Sequence, residues 1–382
     1  MLSYARATAR TWAEIRVEDV VNNHQAALSE LAPGVRHVSV LKANAYGMGA
    51  VGTAEILYAD GERLFAVACV EEALELRRAL PDDAYILVMG ETMPAEVAVS
   101  VSNRIASTVF RLETARALSE EAVRQGVQVH VHCKVDTGLN RLGFGTAEAA
   151  EAVQAVLRMP NLVYDGLFSH LQRRSPEHDR LQAERLWQVD RQLREAGIAT
   201  PMLHMLDSIG MWRYPQYQFN AVRDGAFALG HTKLDYQHPE KLRLALSFKT
   251  RIVRIHDVPA GECCGYDADH PMTKDTRVAT LCVGYADGYP RAMSEVGQVE
   301  IHGKRARVLG VVCMDLTMVD ISEIPEAQVG DVATLLGGSI GIHEYAGFSQ
   351  GYANEYTAMI SRRVPRVYLK GGEPVKIVGY LE

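Results

Sequence analysis

Two hydrophobic periods alternate along the first two-thirds of the chain, and no other feature restricts the fold as much. Apolar runs of strand length occur at 37–42, 64–69, 85–90, 105–110, 127–135, 162–169, 202–208 and 221–229. Between most of them lie segments with helical spacing. VEEALELRRAL sets Val70, Ala73, Leu74 and Arg77 at i, i+3, i+4 and i+7. The stretch from Leu112 to Gln125 puts Leu112, Ala115, Leu118 and Ala122 on one face and stops at Gly126. Helices are also expected over 146–159 and 179–196. Strands alternating with helices argue for βαβ units and a parallel sheet, and continuous apolar strands fit a sheet covered on both faces. Eight units are many for one open doubly wound sheet and match a (β/α)8 barrel.

After about residue 240 the texture changes to strands separated by turns, including LSFKTRIVRIHDV, RVATLCVGY, VEIHGKRARVLGVV, MVDIS, VGDVATLL and PVKIVGYLE. His302-Gly303-Lys304 reads as a tight hairpin with Gly303 at positive φ. One late helix is expected over 353–362, and the charges from Glu14 to Asp19 read as a solvated helix start. The fold class is therefore α/β, a TIM-type barrel over 1–240 followed by a mostly antiparallel β domain over 241–382, each of ordinary domain size.

Composition closes off other classes. The net charge of −7 gives no whole-protein field for nucleic acid. No apolar run approaches the roughly 20 residues of a membrane span, and the first residues lack a signal-peptide core. A cytoplasmic protein is expected, with no nucleic-acid or membrane partner. The six cysteines show no C-x-x-C spacing and read as buried apolar residues. His130 and His132 share a strand face, but no third ligand accompanies them, so their reading is structural and no metal is expected.

In a (β/α)8 barrel, chemistry sits at the C-terminal ends of strands. Those ends carry Lys42 and Tyr46, then Lys134 and Arg141, then His170, then Ser208, then Arg223, Gly225 and Ala226. A lysine amine, several cations and phosphate-binding groups together point to pyridoxal phosphate (PLP). A rival signal is Gly47-Met-Gly49-Ala-Val-Gly52, a dinucleotide fingerprint followed by an acid, Glu71. Lys-Ala-Asn-Ala-Tyr intervenes between that strand and those glycines, which counts against the rival.

VLKANAYGMG resembles the cofactor-lysine signature of the alanine racemase family. KVDTGLNRLGF, GYADGYPR (284–291), Cys313-Met314-Asp315 and RVPRVY (363–368) resemble further motifs of that family, in order along nearly the whole chain. The resemblance implies a PLP-dependent racemase of small amino acids, built as a homodimer with shared active sites. Lys42 would hold PLP and serve as one base; Tyr266 of the partner would be the opposite base. Arg223 would face the pyridine nitrogen. Arg141 would orient cofactor and substrate carboxylate, steadied by Lys134, which is often carbamylated in the family. His170 would lie against the ring. Tyr46, Ser208 and the N–H groups of Gly225 and Ala226 would bind phosphate. Tyr285, Cys313 and Met314 would approach the substrate from the partner, with Asp315 behind them. Asp287 and Arg291 read equally well as turn chemistry.

Four positions depart from the family pattern: Met48 for histidine, Asp207 for asparagine, Leu229 for tyrosine and Asn354 for tyrosine. Asn354 would help bind phosphate and wall the pocket beside the substrate side chain. An asparagine there leaves room and a polar partner for a hydroxymethyl group, as in serine racemases tied to vancomycin resistance, so serine stands beside alanine as substrate. Two alternatives share parts of the architecture, a decarboxylase of basic amino acids and a non-enzymatic PLP-binding homeostasis protein. Arg223 speaks against the first, and Tyr266 with the β domain against the second.

Overall fold

The computed structural model describes residues 2–267 and 270–380. The strands in chain order are β1 (Thr11–Arg16), β2 (Arg36–Val40), β3 (Leu64–Val67), β4 (Tyr85–Val88), β5 (Ala106–Val109), β6 (Val129–Asp136), the short β7 (Phe144–Gly145), β8 (Leu162–Phe168), β9 (Met202–His204) and β10 (Ala221–Asp224). There follow β11 (Leu246–Val258), β12 (Thr276–Leu281), β13 (Gln298–Ile301), β14 (Lys304–Leu309), β15 (Thr317–Asp320), β16 (Val332–Leu336), β17 (Arg366–Lys370) and β18 (Glu373–Val378).

Strands β2 to β6 and β8 to β10 pair in parallel in chain order, and β10 returns to β2, so the sheet closes into the expected eight-stranded barrel. The helix Leu112–Gln125 shows how the pattern works. Its Ala115, Leu118 and Ala122 are buried, and Gly126 stops it at φ 69°, a C-terminal position that favours glycine. The helix expected over 179–196 begins earlier, at Pro176, because Ser175 caps it through the N–H of His178. That expected over 146–159 is confined to Ala149–Leu157.

The second sheet is antiparallel apart from one pair and closes on itself where β11 pairs with both β16 and β12. At the β13–β14 hairpin His302 and Gly303 both have positive φ, as a two-residue primed turn requires. Three sequence readings need correction. Glu14 to Arg16 is strand, not helix: β1 pairs antiparallel with β11 and parallel with β17, Glu14 accepts from Trp12 and Lys249, and the helix starts at Val17. The division at 240 therefore leaves β1 on the barrel side of the boundary although it belongs to the second sheet. The late helix ends at Ala358, and the RVPRVY motif beyond it enters strand β17. Of the six cysteines only Cys133 and Cys264 are buried.

Asp287 ties these pieces together. It is fully buried and accepts from Arg10 at 2.7 and 3.1 Å, from Arg363 at 2.7 Å and from the N–H of Gly284 at 3.0 Å. One carboxylate thus joins the N-terminal segment, the 284–291 turn and the last motif. Among the described residues Arg291 pairs with exposed Asp267, at 3.7 Å. Both arginines on Asp287 retain some solvent, so the low end of the cost of breaking a buried ion pair applies. Asp287→Ala should lower unfolding free energy by roughly 3 kcal/mol, read by denaturant titration; a change below about 0.5 kcal/mol, the range of ordinary surface substitutions, would contradict the role.

Candidate active site

Strand β2 stops at Val40, and the backbone after Lys42 turns left-handed. Ala43, Asn44, Ala45 and Tyr46 all have φ between 52° and 56°. For L-residues this costs about 1–2 kcal/mol each, so the surroundings must hold the turn. The N–H of Ala43 donates to Glu72, and Asn44 Oδ1 accepts from the N–H of Ala50 and from Tyr380. Arg366 is buried and gives its Nε to Gly47 O at 3.0 Å and its other nitrogens to the carbonyls of Ile360, Ser361 and Val364. Tyr368 donates to the carbonyls of Met48 and Gly49. Hydrogen bonds of this kind contribute about 1 kcal/mol each, more where charged, together the same order as the strain. The glycines of the fingerprint-like stretch serve this packing. A Cβ on Gly47 would strike the carbonyl of Thr357, and one on Gly52 the ring of Tyr368. Those glycines admit neighbouring protein where a dinucleotide would need its phosphates.

The turn brings Lys42 into a cavity of about 1040 Å³ at the C-terminal ends of the barrel strands. Tyr46, Lys134, Arg141, His170, Ser208, Arg223, Gly225, Ala226 and Asn354 line it as well. Inward-facing positions of β6 and β10 supply Lys134 and Arg223, both buried. Asp136 organises the loop carrying Arg141 by accepting the N–H groups of Gly138, Asn140 and Arg141. Ser208 Oγ accepts the N–H groups of Gly225 and Ala226 at 3.1 and 3.0 Å.

Among the described residues, Lys42, Lys134 and Arg141 have no carboxylate within ion-pair distance. The consequences are electrostatic. Burial, then Arg141 and Arg223, lower the Lys42 amine. Burial, then Arg223 and Arg141, take Lys134 down to about 7. Such a pocket calls for anions and holds amines ready to take protons. Asp207 lines it too, but is turned to its own chain. It accepts from the N–H groups of Ile209 and Gly210, and Arg173 lies 3.7 Å away. Burial alone would raise its carboxyl; His170, Arg173 and those N–H groups hold it down. Met48 and Leu229 are core residues.

A chain of polar side chains that the sequence reading assigned no catalytic part runs inward from Arg223. Arg223 Nη1 lies 2.6 Å from His204 Nδ1, and His204 Nε2 lies 3.0 Å from His132 Nδ1. His132 Nε2 is 3.0 Å from the hydroxyl of Tyr85, which donates to Asp165 at 2.7 Å. His130 meets the same carboxylate at 2.6 Å. Arginine donates only and carboxylate accepts only, so each histidine between them is neutral with one assigned tautomer. Arg223 Nη2 also donates to the carbonyls of Ser169 and Met205 and faces His170 Nδ1 at 3.4 Å. The period-two alternation on β6 was the available signal: 130, 132 and 134 all point inward.

Tyr266, Tyr285, Cys313, Met314 and Asp315 are not among the residues lining this cavity. Tyr266, Tyr285 and Met314 stand on the β domain, 68, 42 and 53 % exposed. The N–H of Tyr285 donates to Cys313 O, which joins two of these segments, and Asp315 pairs with Arg363. The expected site residues thus form two groups within one chain.

The chain matches the family descriptions "Alanine racemase, N-terminal domain" over residues 15–233 and "Alanine racemase, C-terminal domain" over 245–368. It is 34% identical to an alanine racemase of Clostridium tetani, over 97% of this chain and 98% of that protein. It is 35% identical to one of Desulfovibrio desulfuricans, over 97% and 100%. Among solved structures it resembles the alanine racemase of Clostridium difficile 630, with TM-score 0.92 and 32% identity over 98% of this chain and 99% of that one. The Bacillus anthracis alanine racemase with bound L-Ala-P gives TM-score 0.89 and 29% identity, over 97% and 98%.

The neutral histidines make stability pH-dependent. Burial takes His132 down to about 4 and holds His204 well below its ordinary value. An unfolded chain protonates both below about 6.5, while the folded chain cannot, so acid favours unfolding. Stability should fall as pH drops from about 6.5 to 4, by about 1.4 kcal/mol per unit for each such group. Melting curves across that range should show a shallower acid limb for His132→Gln; an unchanged slope would count against the neutral chain.

Proposed function

The chain belongs to the alanine racemase family, whose members depend on PLP, and we propose that it interconverts L- and D-alanine, and L- and D-serine beside them, as a PLP-bearing homodimer. The observation that carries this reading is the set of unpaired cations, Lys42, Lys134 and Arg141, gathered beside Arg223 at the barrel mouth. A phosphate and a carboxylate are the anions such a pocket suits.

The donor set fits the cofactor. Tyr46 and Ser208 offer hydroxyls, and Gly225 and Ala226 offer N–H groups already turned on an oxygen. Lys42 offers the amine that would carry the group. When bound, PLP supplies an electron-withdrawing ring that acidifies the substrate Cα–H. Arg223 keeps its guanidinium aimed by His204 and two carbonyls, and as a pure donor it gives a ring nitrogen no proton. Arg141 would hold the substrate carboxylate. Burial and its cationic neighbours favour the neutral form of Lys42 Nζ, which suits it to take the Cα proton on one face.

The other face needs a second acid–base group, because one held base serves one face. Tyr266 of a second copy is the candidate. It stands exposed on the β domain, away from the cavity of its own chain, with Tyr285 and Met314, which suits a surface that completes a neighbour's pocket. The Lys134 amine, taken down to about 7, is also suited to carbamylation, which would give Arg141 an anionic partner.

Serine enters through Asn354. Its side chain lines the cavity, and its Oδ1 is buried without a hydrogen-bond partner. A substrate hydroxyl could donate to it. Of the two tyrosines that could fill the space instead, Tyr356 is buried and bonded to Ser349, while Tyr352 lines the cavity beside Asn354.

Two measurements test the reading. Lys42→Ala should reduce kcat/KM for L-alanine by at least about 1000-fold; activity near wild type would end the assignment. Asn354→Tyr should lower the serine-to-alanine ratio of kcat/KM by about tenfold or more. A ratio that does not move, or no serine turnover in either protein, would remove serine from the proposal.

A further inference from the structure

Away from the cavity, on the outer side of the barrel wall, three buried side chains converge from separate elements. His24 lies on the helix Val17–Ser29, His37 near the start of β2, and Glu62 in the turn entering β3. They are 2, 7 and 6 % exposed, and their nearest ligand-type atoms lie within 4.8 Å of one another. His37 Nδ1 is 2.7 Å and His24 Nε2 3.6 Å from the same oxygen, Glu62 Oε2. Ser39 Oγ lies 3.0 Å from that oxygen and 3.5 Å from His37 Nδ1.

The far side of each group is oriented. His24 Nδ1 meets Asp60 at 2.7 Å, and Gln25 supports the same carboxylate oxygen. His37 Nε2 faces Asp224 at 3.5 Å. Glu62 Oε1 accepts the N–H groups of Arg63 and Leu64. This is the outer arrangement that fixes imidazole and carboxylate ligands around a metal, with a carboxylate behind each histidine. Of the three inner atoms, His37 Nδ1 and Glu62 Oε2 bond each other, Ser39 supports the latter, and His24 Nε2 is the one left over. With Nδ1–H given to Asp60, His24 presents Nε2 as a lone pair facing a carboxylate oxygen. At 3.6 Å no hydrogen bond spans that gap, and His24 Nε2 has no partner. A cation bound here would supply the partner that His24 Nε2 lacks and would displace the proton that His37 shares with Glu62.

We propose that His24 Nε2, His37 Nδ1 and Glu62 Oε2 form a structural site for a zinc-class divalent cation, with the Ser39 hydroxyl or a water as fourth ligand. Two imidazoles and a carboxylate suit such an ion; calcium and magnesium prefer oxygen alone. Tetrahedral bonds of 2.0–2.1 Å set ligand atoms about 3.3 Å apart. The 2.7 Å pair must open by about 0.6 Å and the 3.6 Å pair close by about 0.3 Å, and the two histidine nitrogens, within 4.8 Å of each other, must draw in as well. The ion would clamp the helix Val17–Ser29 and the β3 entry to β2, the strand that leads to Lys42. Through Asp224 it would also brace β10, where Arg223 resides. None of these ligands belongs to the cavity, so the role is structural.

The test uses full-length, cofactor-loaded protein without a histidine tag, stripped with a chelator and then offered Zn²⁺. Wild type should take up about one ion per chain and melt at a higher temperature than the stripped protein. His24→Ala and Glu62→Gln should lose that uptake. Asp60→Asn, which keeps all three ligands, should bind roughly 10–100-fold more weakly. Stripped wild type that neither binds Zn²⁺ nor gains melting temperature would overturn the site, leaving an imidazole–carboxylate network. Uptake undiminished in both ligand variants would assign the ion to thiols elsewhere and overturn it equally.

Discussion

The grip of Arg366 and Tyr368 on the loop after Lys42 is the contact on which the rest depends. Four successive residues held left-handed would relax if free. They stay because a guanidinium surrounded by carbonyls and a buried phenol occupy the space that Gly49 and Gly52 leave open, while the Thr357 carbonyl fills the space beside Gly47. Both side chains come from β17, a strand of the second sheet. The β domain is therefore no appendage to the barrel. It sets the backbone that carries the reactive amine, and Asp287 fastens the same motif to the N-terminal segment.

The pocket so formed is unbalanced by design. A chain with net charge −7 gathers Lys42, Lys134 and Arg141 at one mouth, and among the described residues no carboxylate pairs with them. Solvation lost on burial and mutual repulsion both push amine protons off, as Lys42 and Lys134 show. Arg223 could not be spared its charge, so its donors are spent on His204 and on carbonyls, and the line through His132 and Tyr85 ends on Asp165. These contacts hold the guanidinium in place at the cavity wall.

Much of this was legible in the sequence, for physical reasons. The barrel shows itself because eight strands buried on both faces must be apolar and the helices between them amphipathic. The cavity residues follow from taking strand ends in order. What escaped depends on long-range contact. Strand β1 reads as charged and helical because Glu14 finds Trp12 and Lys249 only in the folded sheet. Ala43 and Ala45 carry no mark of positive φ, and the glycines beside them imitate a phosphate loop because close packing and phosphate approach make the same demand for a missing Cβ. Residues 24, 37, 62 and 224, or 85, 132, 165 and 204, are too far apart in sequence to be read as clusters.

The central claim is that one chain holds only half of a working site, the cations and Lys42 in its barrel and Tyr266 on its β domain for another copy. Mixing inactive Lys42→Ala and Tyr266→Phe proteins, with subunit exchange, tests it most directly. A mixed dimer pairs the intact Lys42 of one chain with the intact Tyr266 of the other at one site and leaves the second site doubly impaired. Random exchange should restore racemase activity to about a quarter of the wild-type value, as two-fold symmetry dictates. A mixture no more active than its two components, once mixed dimers are shown to form, would contradict the shared site.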